Sequence, residues 1–235
     1  MRSMMRMWMA GTATLVLTTI TAQAQNQLGN QLQGGKAEPP ITERPATVVG
    51  PVDGITAVEG SQLYTLQNGS VLYILGDSTL HKYELGAKSL KGSALVKGSL
   101  TKALKAGVVK AALDVPVMFL KSKESGLDDN AYKALKAKDN QDILFSLKSV
   151  KVTGEKATLK GDLTIAGVTQ PVVLDAVAKT SDNSVEFSGV QKVKMTDFQI
   201  TPPSVSLVVT SITCTDEIEV HYDVTFASVK EEAAH

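Results

Sequence analysis

The chain has 235 residues, of which 43% are hydrophobic and 20% are charged, proportions that are ordinary for a globular protein. Its formal net charge is zero, so there is no electrostatic attraction to nucleic acid or to an anionic membrane surface. Aromatic residues make up only 5% of the chain, which leaves few rings to stack on bases, and nucleic acid is not an expected partner.

The first 24 residues have the pattern of a secretory signal peptide. Arg2 and Arg6 give a basic start, and the uncharged stretch 7–20 is too short for a bilayer, which needs about 20 residues. Ala22-Gln23-Ala24 is a small-x-small cleavage pattern, so we predict cleavage after Ala24 and export of the mature protein. An amphipathic helix or an uncleaved anchor is the alternative.

Residues 25–60 are predicted to form a flexible, disordered linker. Gln and Asn crowd its start, Gly34-Gly35 follows, and prolines recur between residues 39 and 51. Such a composition buries too little apolar surface to offset the entropy of ordering. A partner-binding arm is the alternative. At the other end of the chain, the polar residues 229–235 are predicted to fray.

Residues 61–228 are predicted to form one domain made of successive strands. Residues 62–67 and 70–75 flank Asn68-Gly69, which is a strong signal for a β-hairpin. The longest alternation of apolar residues runs from Val109 to Phe119 and predicts one long strand with a single buried side.

One short helix is predicted among the strands. Asp128 or Asp129 can act as its N-cap, Tyr132 and Leu135 contribute to an apolar face, and it should end near Ala137. The paired carboxylates are better explained as helix-capping residues than as a general acid and base.

Alternating segments fill the rest of the domain. The clearest begin at Ile143, Ala157, Pro171, Val185 and Ile218. About eight strands at hairpin spacing with one helix predict an all-β fold, either a barrel or a sandwich. We favour an antiparallel barrel, because closure removes the exposed sheet edges that an exported protein must otherwise protect.

The side chains that could carry chemistry are few and scattered. His81, His221, His235 and Cys214 do not have the spacing of metal ligands, and His221 is expected to be a solvated residue of the last strand. The chain contains no nucleophile elbow, phosphate loop or dinucleotide fingerprint. A hydrolase using Ser78 with His81 is the only catalytic alternative. We therefore predict no catalytic residues, no metal and no enzyme activity.

The segment 160–176, KGDLTIAGVTQPVVLDA, resembles a hairpin of the YceI-like family, written LTI-hGvT-rP-v-L. The family's His is Ala166 here and its Arg is Gln170, and neither change breaks the hairpin pattern. Segment 194–200 and the alternation that ends at Phe226 extend the resemblance to most of the mature chain.

The resemblance implies a lipocalin-like β-barrel in a secreted, periplasmic protein, with an apolar interior that holds an isoprenoid or quinone-like lipid. Binding, transport or storage of that lipid is the expected function, with no other cofactor. An inner-membrane protein is a further candidate partner, and a homodimer is a candidate assembly. The alternative function is a non-catalytic interaction or stress module, with a filled core, that docks on a membrane partner.

The family fold indicates which strand face is inside, and the phase of each strand then selects the residues expected to line the interior. The expected lining residues are Val109, Leu113, Val117, Phe119, Ile143, Phe145, Leu163, Ile165, Phe187, Val220, Tyr222 and Val224. A bulge of one residue would invert the phase of a strand and move its side chains to the other face.

Overall fold

The computed structural model describes residues 48–52, 55, 59–107, 109–206 and 211–229. The predicted signal peptide, much of the predicted linker and residues 230–235 of the predicted tail lie outside the described residues. Among the described residues, no helix has both the length and the apolar character needed to cross a membrane.

Strands dominate the described residues, with two α-helices and two 3-10 helices among them. The strands are β1 Val48–Gly50, β2 Ser61–Leu66, β3 Val71–Gly76, β4 Tyr83–Ala87, β5 Ser89–Lys97, β6 Val109–Pro116, β7 Leu120–Lys121, β8 Asp142–Thr153, β9 Lys156–Ile165, β10 Val168–Thr180, β11 Ser184–Lys194, β12 Ser204–Ser206, β13 Ser211–Thr213 and β14 Glu217–Ser228. The α-helices are α1 Leu100–Ala106 and α2 Ser125–Ala134, and the 3-10 helices are Val117–Phe119 and Met195–Phe198.

Antiparallel ladders close eight strand positions into a barrel. β5, β6, β8, β9, β10, β11 and β14 are neighbours in that order, and β2 completes the ring because it pairs with both β14 and β5. β3 pairs with β14, β4 pairs with β3, and β7 pairs with β4. These three strands extend the barrel wall beyond β2, β5 and β6, respectively. The predicted lipocalin-like antiparallel β-barrel of about eight strands is therefore confirmed.

Asn68-Gly69 does not form the predicted hairpin turn. β2 and β3 run in the same direction beside β14, so residues 67–70 form a bulge in one interrupted strand. Gln67 N–H donates to the Thr225 carbonyl at 2.8 Å, and Thr225 N–H donates to Ser70 Oγ at 3.1 Å. The hairpin prediction is wrong because pairing with a distant strand outweighs the local preference for a turn.

The strand predicted from Val109 to Phe119 is shorter in the structure. β6 ends at Pro116, which has no N–H to donate to a ladder, and a 3-10 helix follows. In that helix Val117 is buried, whereas Phe119 is 51% exposed. Because the helical turn breaks the two-residue alternation, the placement of Phe119 on the inward face is wrong.

The structure contains α1, a helix that the sequence analysis missed. Leu100, Ala103 and Leu104 form its buried face, and Gly107 ends it in the left-handed conformation with φ of 74°. This spacing of apolar residues followed by glycine is typical of a short amphipathic helix. The prediction of a single helix is therefore wrong.

α2 is the predicted helix, but it begins before the expected N-cap. It starts at Ser125, so Asp128 lies within the helix and is buried. The Asp128 carboxylate accepts a hydrogen bond from Ser122 N–H at 2.7 Å and lies 3.5 Å from Lys121 Nζ. The carboxylate thus ties α2 to the end of β7, and the prediction that it caps the helix is wrong.

Part of the predicted linker is a strand. β1 pairs in parallel with β5, with Val48 opposite Ser89 and Gly50 opposite Lys91. Just beyond it, Val52 N–H donates to Ser93 Oγ at 2.9 Å. The predicted linker 25–60 therefore includes this short strand, and the flexibility of the rest of the linker stays a prediction.

Candidate functional site

The inward faces of four adjacent strands form a continuous apolar band. One row across β6, β8, β9 and β10 consists of Leu113, Phe145, Leu163 and Gln170, and the next row consists of Ala111, Leu147, Gly161 and Val172. All of these residues except Gly161 are only partly buried. In a close-packed interior, inward aliphatic side chains would be fully covered, whereas the side chains of this band keep part of their surface accessible.

Two buried clusters lie on either side of this band. The first is built around Leu90, Leu159, Phe187, Val224 and Phe226 and includes the buried face of α1. The second is built around Ile165, Val193, Met195, Phe198 and Ile200. β9, β11 and β14 each extend from one cluster to the other. The middle residues of each strand belong to the partly open band.

Two glycines allow aromatic rings to lie against the barrel wall. A Cβ added to Gly161 would lie 2.7 Å from the Phe145 ring, and one added to Gly189 would lie 2.8 Å from Cζ of Tyr222. Each ring therefore covers the glycine of the neighbouring strand. A ring held against the wall in this way leaves the centre of the barrel less obstructed.

The Tyr222 hydroxyl is the best-defined polar group of the band. It donates a hydrogen bond to the Asp175 carbonyl at 3.3 Å, across Gly189. Burial, with a smaller effect of the Asp175 carboxylate, raises the pKa of Tyr222 to about 12. The phenol is thus neutral at ordinary pH and acts only as a hydrogen-bonding group.

The structure brings most of the predicted lining residues together. Leu113, Ile143, Phe145, Leu163, Val220 and Tyr222 face inward and are partly buried. Val109, Ile165, Phe187 and Val224 face inward but are buried within the two clusters. Val117 is buried in its 3-10 helix, and Phe119 is exposed. Contact of the inward residues with a ligand stays a prediction.

β10 contributes inward residues that are absent from the predicted lining. Val172, Leu174 and Ala176 face inward and are partly buried, as is Leu147 on β8. The alternation that could have identified them was present, but the outward residues of β10 include exposed valines. With apolar residues on both faces, the periodicity of β10 does not indicate which face is inside.

Ser78 and His81 do not form a catalytic pair. The Ser78 hydroxyl donates to the His81 carbonyl at 2.8 Å and accepts from the N–H groups of Leu80 and His81. The His81 ring instead lies against the Lys82 carbonyl, with Nδ1 at 2.9 Å. Ser78 therefore stabilises a turn, and its hydroxyl is not activated by an imidazole.

His221 is not the solvated residue that we expected. Its ring stacks on Tyr73 with the centroids 4.7 Å apart, and Nδ1 lies 3.1 Å from the Tyr73 hydroxyl. Among the described residues, no three His, Cys, Asp or Glu side chains gather closely enough to hold a metal ion.

The comparisons with known proteins agree with this geometry. A family model for the YceI-like domain matches residues 77–226. The chain belongs to the YceI-like family. The resemblance of the 160–176 hairpin to this family is thereby confirmed. Among curated protein sequences, none matches the chain significantly.

Two solved structures have a fold similar to that of this chain. BcnA of Burkholderia cenocepacia is 19% identical, with a TM-score of 0.54 over 66% of this chain and 95% of that one. A polyisoprenoid-binding domain from Saccharophagus degradans is 11% identical, with a TM-score of 0.53 over 71% of this chain and 98% of that one. A YCEI protein of Campylobacter jejuni is 27% identical over 52% of this chain and 73% of that one, with a TM-score of 0.41.

Proposed function

We propose that this YceI-like protein binds an amphiphilic isoprenoid, such as a polyprenyl or quinone-like lipid, inside its barrel and carries or stores it in the periplasm. The partly open apolar band is the observation that carries the proposal. Its inward rows are aliphatic or aromatic apart from Gly161 and Gln170. A binding role also agrees with the polyisoprenoid binding of the Saccharophagus degradans domain, which has the same fold.

The energetics favour a hydrocarbon guest. Each CH₂ group removed from water contributes about 0.8 kcal/mol, so one five-carbon prenyl unit contributes about 4 kcal/mol when fully enclosed. A few enclosed units would offset the entropy lost when a flexible chain is held, for which estimates run from about 4 to 15 kcal/mol. The apolar band can therefore bind a prenyl chain with few polar contacts.

Two amides face the interior and suit a polar headgroup. Gln170 ends the first row of the band, and Gln191 follows Gly189 on the inward face of β11. Both side chains are partly buried, and their NH₂ groups already donate to the main-chain carbonyls of Asp197 and Lys192. Their remaining carbonyl oxygens suit a hydroxyl donor such as a quinol.

The alternative, an interaction or stress module with a filled core, requires close packing of the inward face throughout the barrel. The two clusters have that packing, but the inward rows between them remain accessible. This difference between the clusters and the band favours lipid binding. No part of the proposal requires catalysis.

Analysis of the bound lipid tests the proposal. Protein purified from its native periplasm is extracted with organic solvent, and the extract is examined by mass spectrometry. Delipidated protein is then offered a prenylated quinone. We expect an isoprenoid in the extract and stoichiometric uptake of the quinone. A lipid-free extract together with no uptake would contradict the proposal.

A further inference from the structure

β10 and β11 are paired over only part of their length. Their ladder joins residues 177–180 to residues 185–188. β10 continues to pair with β9 over residues 168–177, and β11 pairs with β14 along its whole length. Within these fully described strands, no ladder joins residues 168–176 to residues 189–194. We call the stretch bounded by residues 171–176 and 189–194 the lateral gap.

The backbone of β10 shows which of its residues face this gap. Both backbone groups of a strand residue point to the same neighbouring strand, and the side alternates along the chain. Ala178 N–H donates to the Glu155 carbonyl beside β9 at 2.7 Å, so even-numbered residues face β9 and odd-numbered residues face β11. Pro171 is odd-numbered, so its nitrogen faces the lateral gap. Because proline cannot donate to a ladder, it prevents this edge from pairing fully.

Side chains bridge the two ends of the lateral gap. At one end the Tyr222 phenol, held over Gly189, donates to the Asp175 carbonyl that β11 leaves without a ladder bond. At the other end the Gln170 amide donates to the Asp197 carbonyl at 3.0 Å. The β10 edge between these two bridges, at residues 171–174, has no ladder to β11 among the described strands.

Apolar residues border the lateral gap on both faces of the wall. Val172 and Leu174 lie on the inner face of the wall and are only partly buried. Val173 and Val190 lie on the outer face and are 52% and 49% exposed. The two buried clusters fill the interior above and below this level. Apolar side chains thus border the lateral gap both on the outer surface and on the side of the band.

We infer that the lateral gap is the portal through which the hydrocarbon chain of the lipid enters and leaves the barrel. The hydrocarbon chain slides between β10 and β11 first, and the polar headgroup then reaches the amides of Gln170 and Gln191. The inference rests on the proposed function, because a barrel without a lipid guest needs no portal.

Hydrogen exchange tests the open edge without any lipid. The N–H of Val173 faces the lateral gap, whereas those of Val172 and Leu174 face β9. We expect the Val173 amide, followed by nuclear magnetic resonance, to exchange at least about 100-fold faster than its two neighbours. Equal protection of the three amides would show a paired edge in solution and would overturn the portal.

A covalent bridge across the lateral gap tests the route itself. Val173→Cys and Lys192→Cys are introduced in a Cys214→Ser background and joined with a short bis-maleimide. The Lys192→Cys substitution removes an exposed ion pair with Glu217, and such a pair contributes little to stability. The control joins Lys179→Cys to Glu186→Cys, which face each other in the intact β10–β11 ladder.

The readout is the rate of uptake of a dansyl-labelled geranylgeranyl probe. We expect the bridge across the lateral gap to slow uptake at least about tenfold, while the control bridge leaves the rate unchanged. Equal rates in the two bridged proteins would overturn the portal alone. No uptake by any unbridged protein would overturn the proposed function and the portal together.

Discussion

The ring of Phe145 on β8 lies against Gly161 on β9, at a position where a Cβ would be 2.7 Å from the ring. Gly161 faces Leu147 across the ladder and belongs to the inward rows of the band. The absence of a side chain at this position lets a large aromatic residue lie along the wall. Glycine here shapes the interior and is not needed for a turn.

Gly161→Ala is expected to destabilise the barrel by about 1–3 kcal/mol, because the new methyl group meets the Phe145 ring and the Ser146 carbonyl. The free energy of unfolding in urea measures the change. Gly126→Ala is the control, since nothing lies within 4 Å of its added Cβ and it lies within α2. That substitution should stabilise the protein by up to about 1 kcal/mol. Equal effects of the two substitutions would contradict the packing described for Gly161.

Leu113→Lys is expected to abolish uptake of a prenyl lipid, because it places a charge on the inward row that Leu113 shares with Phe145. The matched change is Lys110→Ala, on the exposed side of the same strand, which should leave uptake unchanged. The milder Leu113→Gln should weaken binding on the order of tenfold. Circular dichroism shows whether each variant is folded. If the Leu113→Lys protein is folded and binds the lipid normally, Leu113 does not line the binding site.

The pKa of Tyr222 predicts a loss of stability in alkali. The folded-state pKa of about 12 lies above the ordinary tyrosine value of 10.0, so the folded protein holds this proton more tightly. The stabilisation is complete below pH 10 and is lost as the pH rises towards about 12. The free energy of unfolding should therefore fall less steeply with pH in Tyr222→Phe than in the wild type. Identical slopes would place Tyr222 in an exposed environment.

Leu104→Ala is expected to cost about 2–5 kcal/mol, because Leu104 is one of the buried residues that join α1 to the first cluster. Lys102→Ala on the exposed side of the same helix should change stability by less than about 0.5 kcal/mol. Thermal unfolding of the two variants measures both effects. If the two melting temperatures were the same, α1 would not be a structural part of the core.

Strand phase could be predicted from the sequence wherever charged residues mark the outer face. On β9, for example, Lys160 and Asp162 alternate with the inward residues Leu159, Gly161 and Leu163. The prediction was incomplete where both faces are apolar, as on β10. It was wrong at Phe119, because a 3-10 helix replaces the last residues of the predicted strand.

Features that depend on pairing between distant strands could not be predicted. Asn68-Gly69 has the residue types of a hairpin turn, yet the strands on both sides of it pair with β14 and not with each other. From the sequence, Pro171 is the start of an alternating segment and part of a family motif. Its position beside the lateral gap became visible only with the registers of β10 against β9 and β11.

The most direct test of lipid binding inside the barrel is photo-crosslinking with a prenyl chain that carries a diazirine. We expect peptide mass spectrometry to find the label on inward residues such as Phe145, Val172 and Leu174. An excess of unlabelled prenyl lipid should abolish this labelling. Label on outward residues such as Leu144 alone, unaffected by the competitor, would contradict a lipid-binding interior.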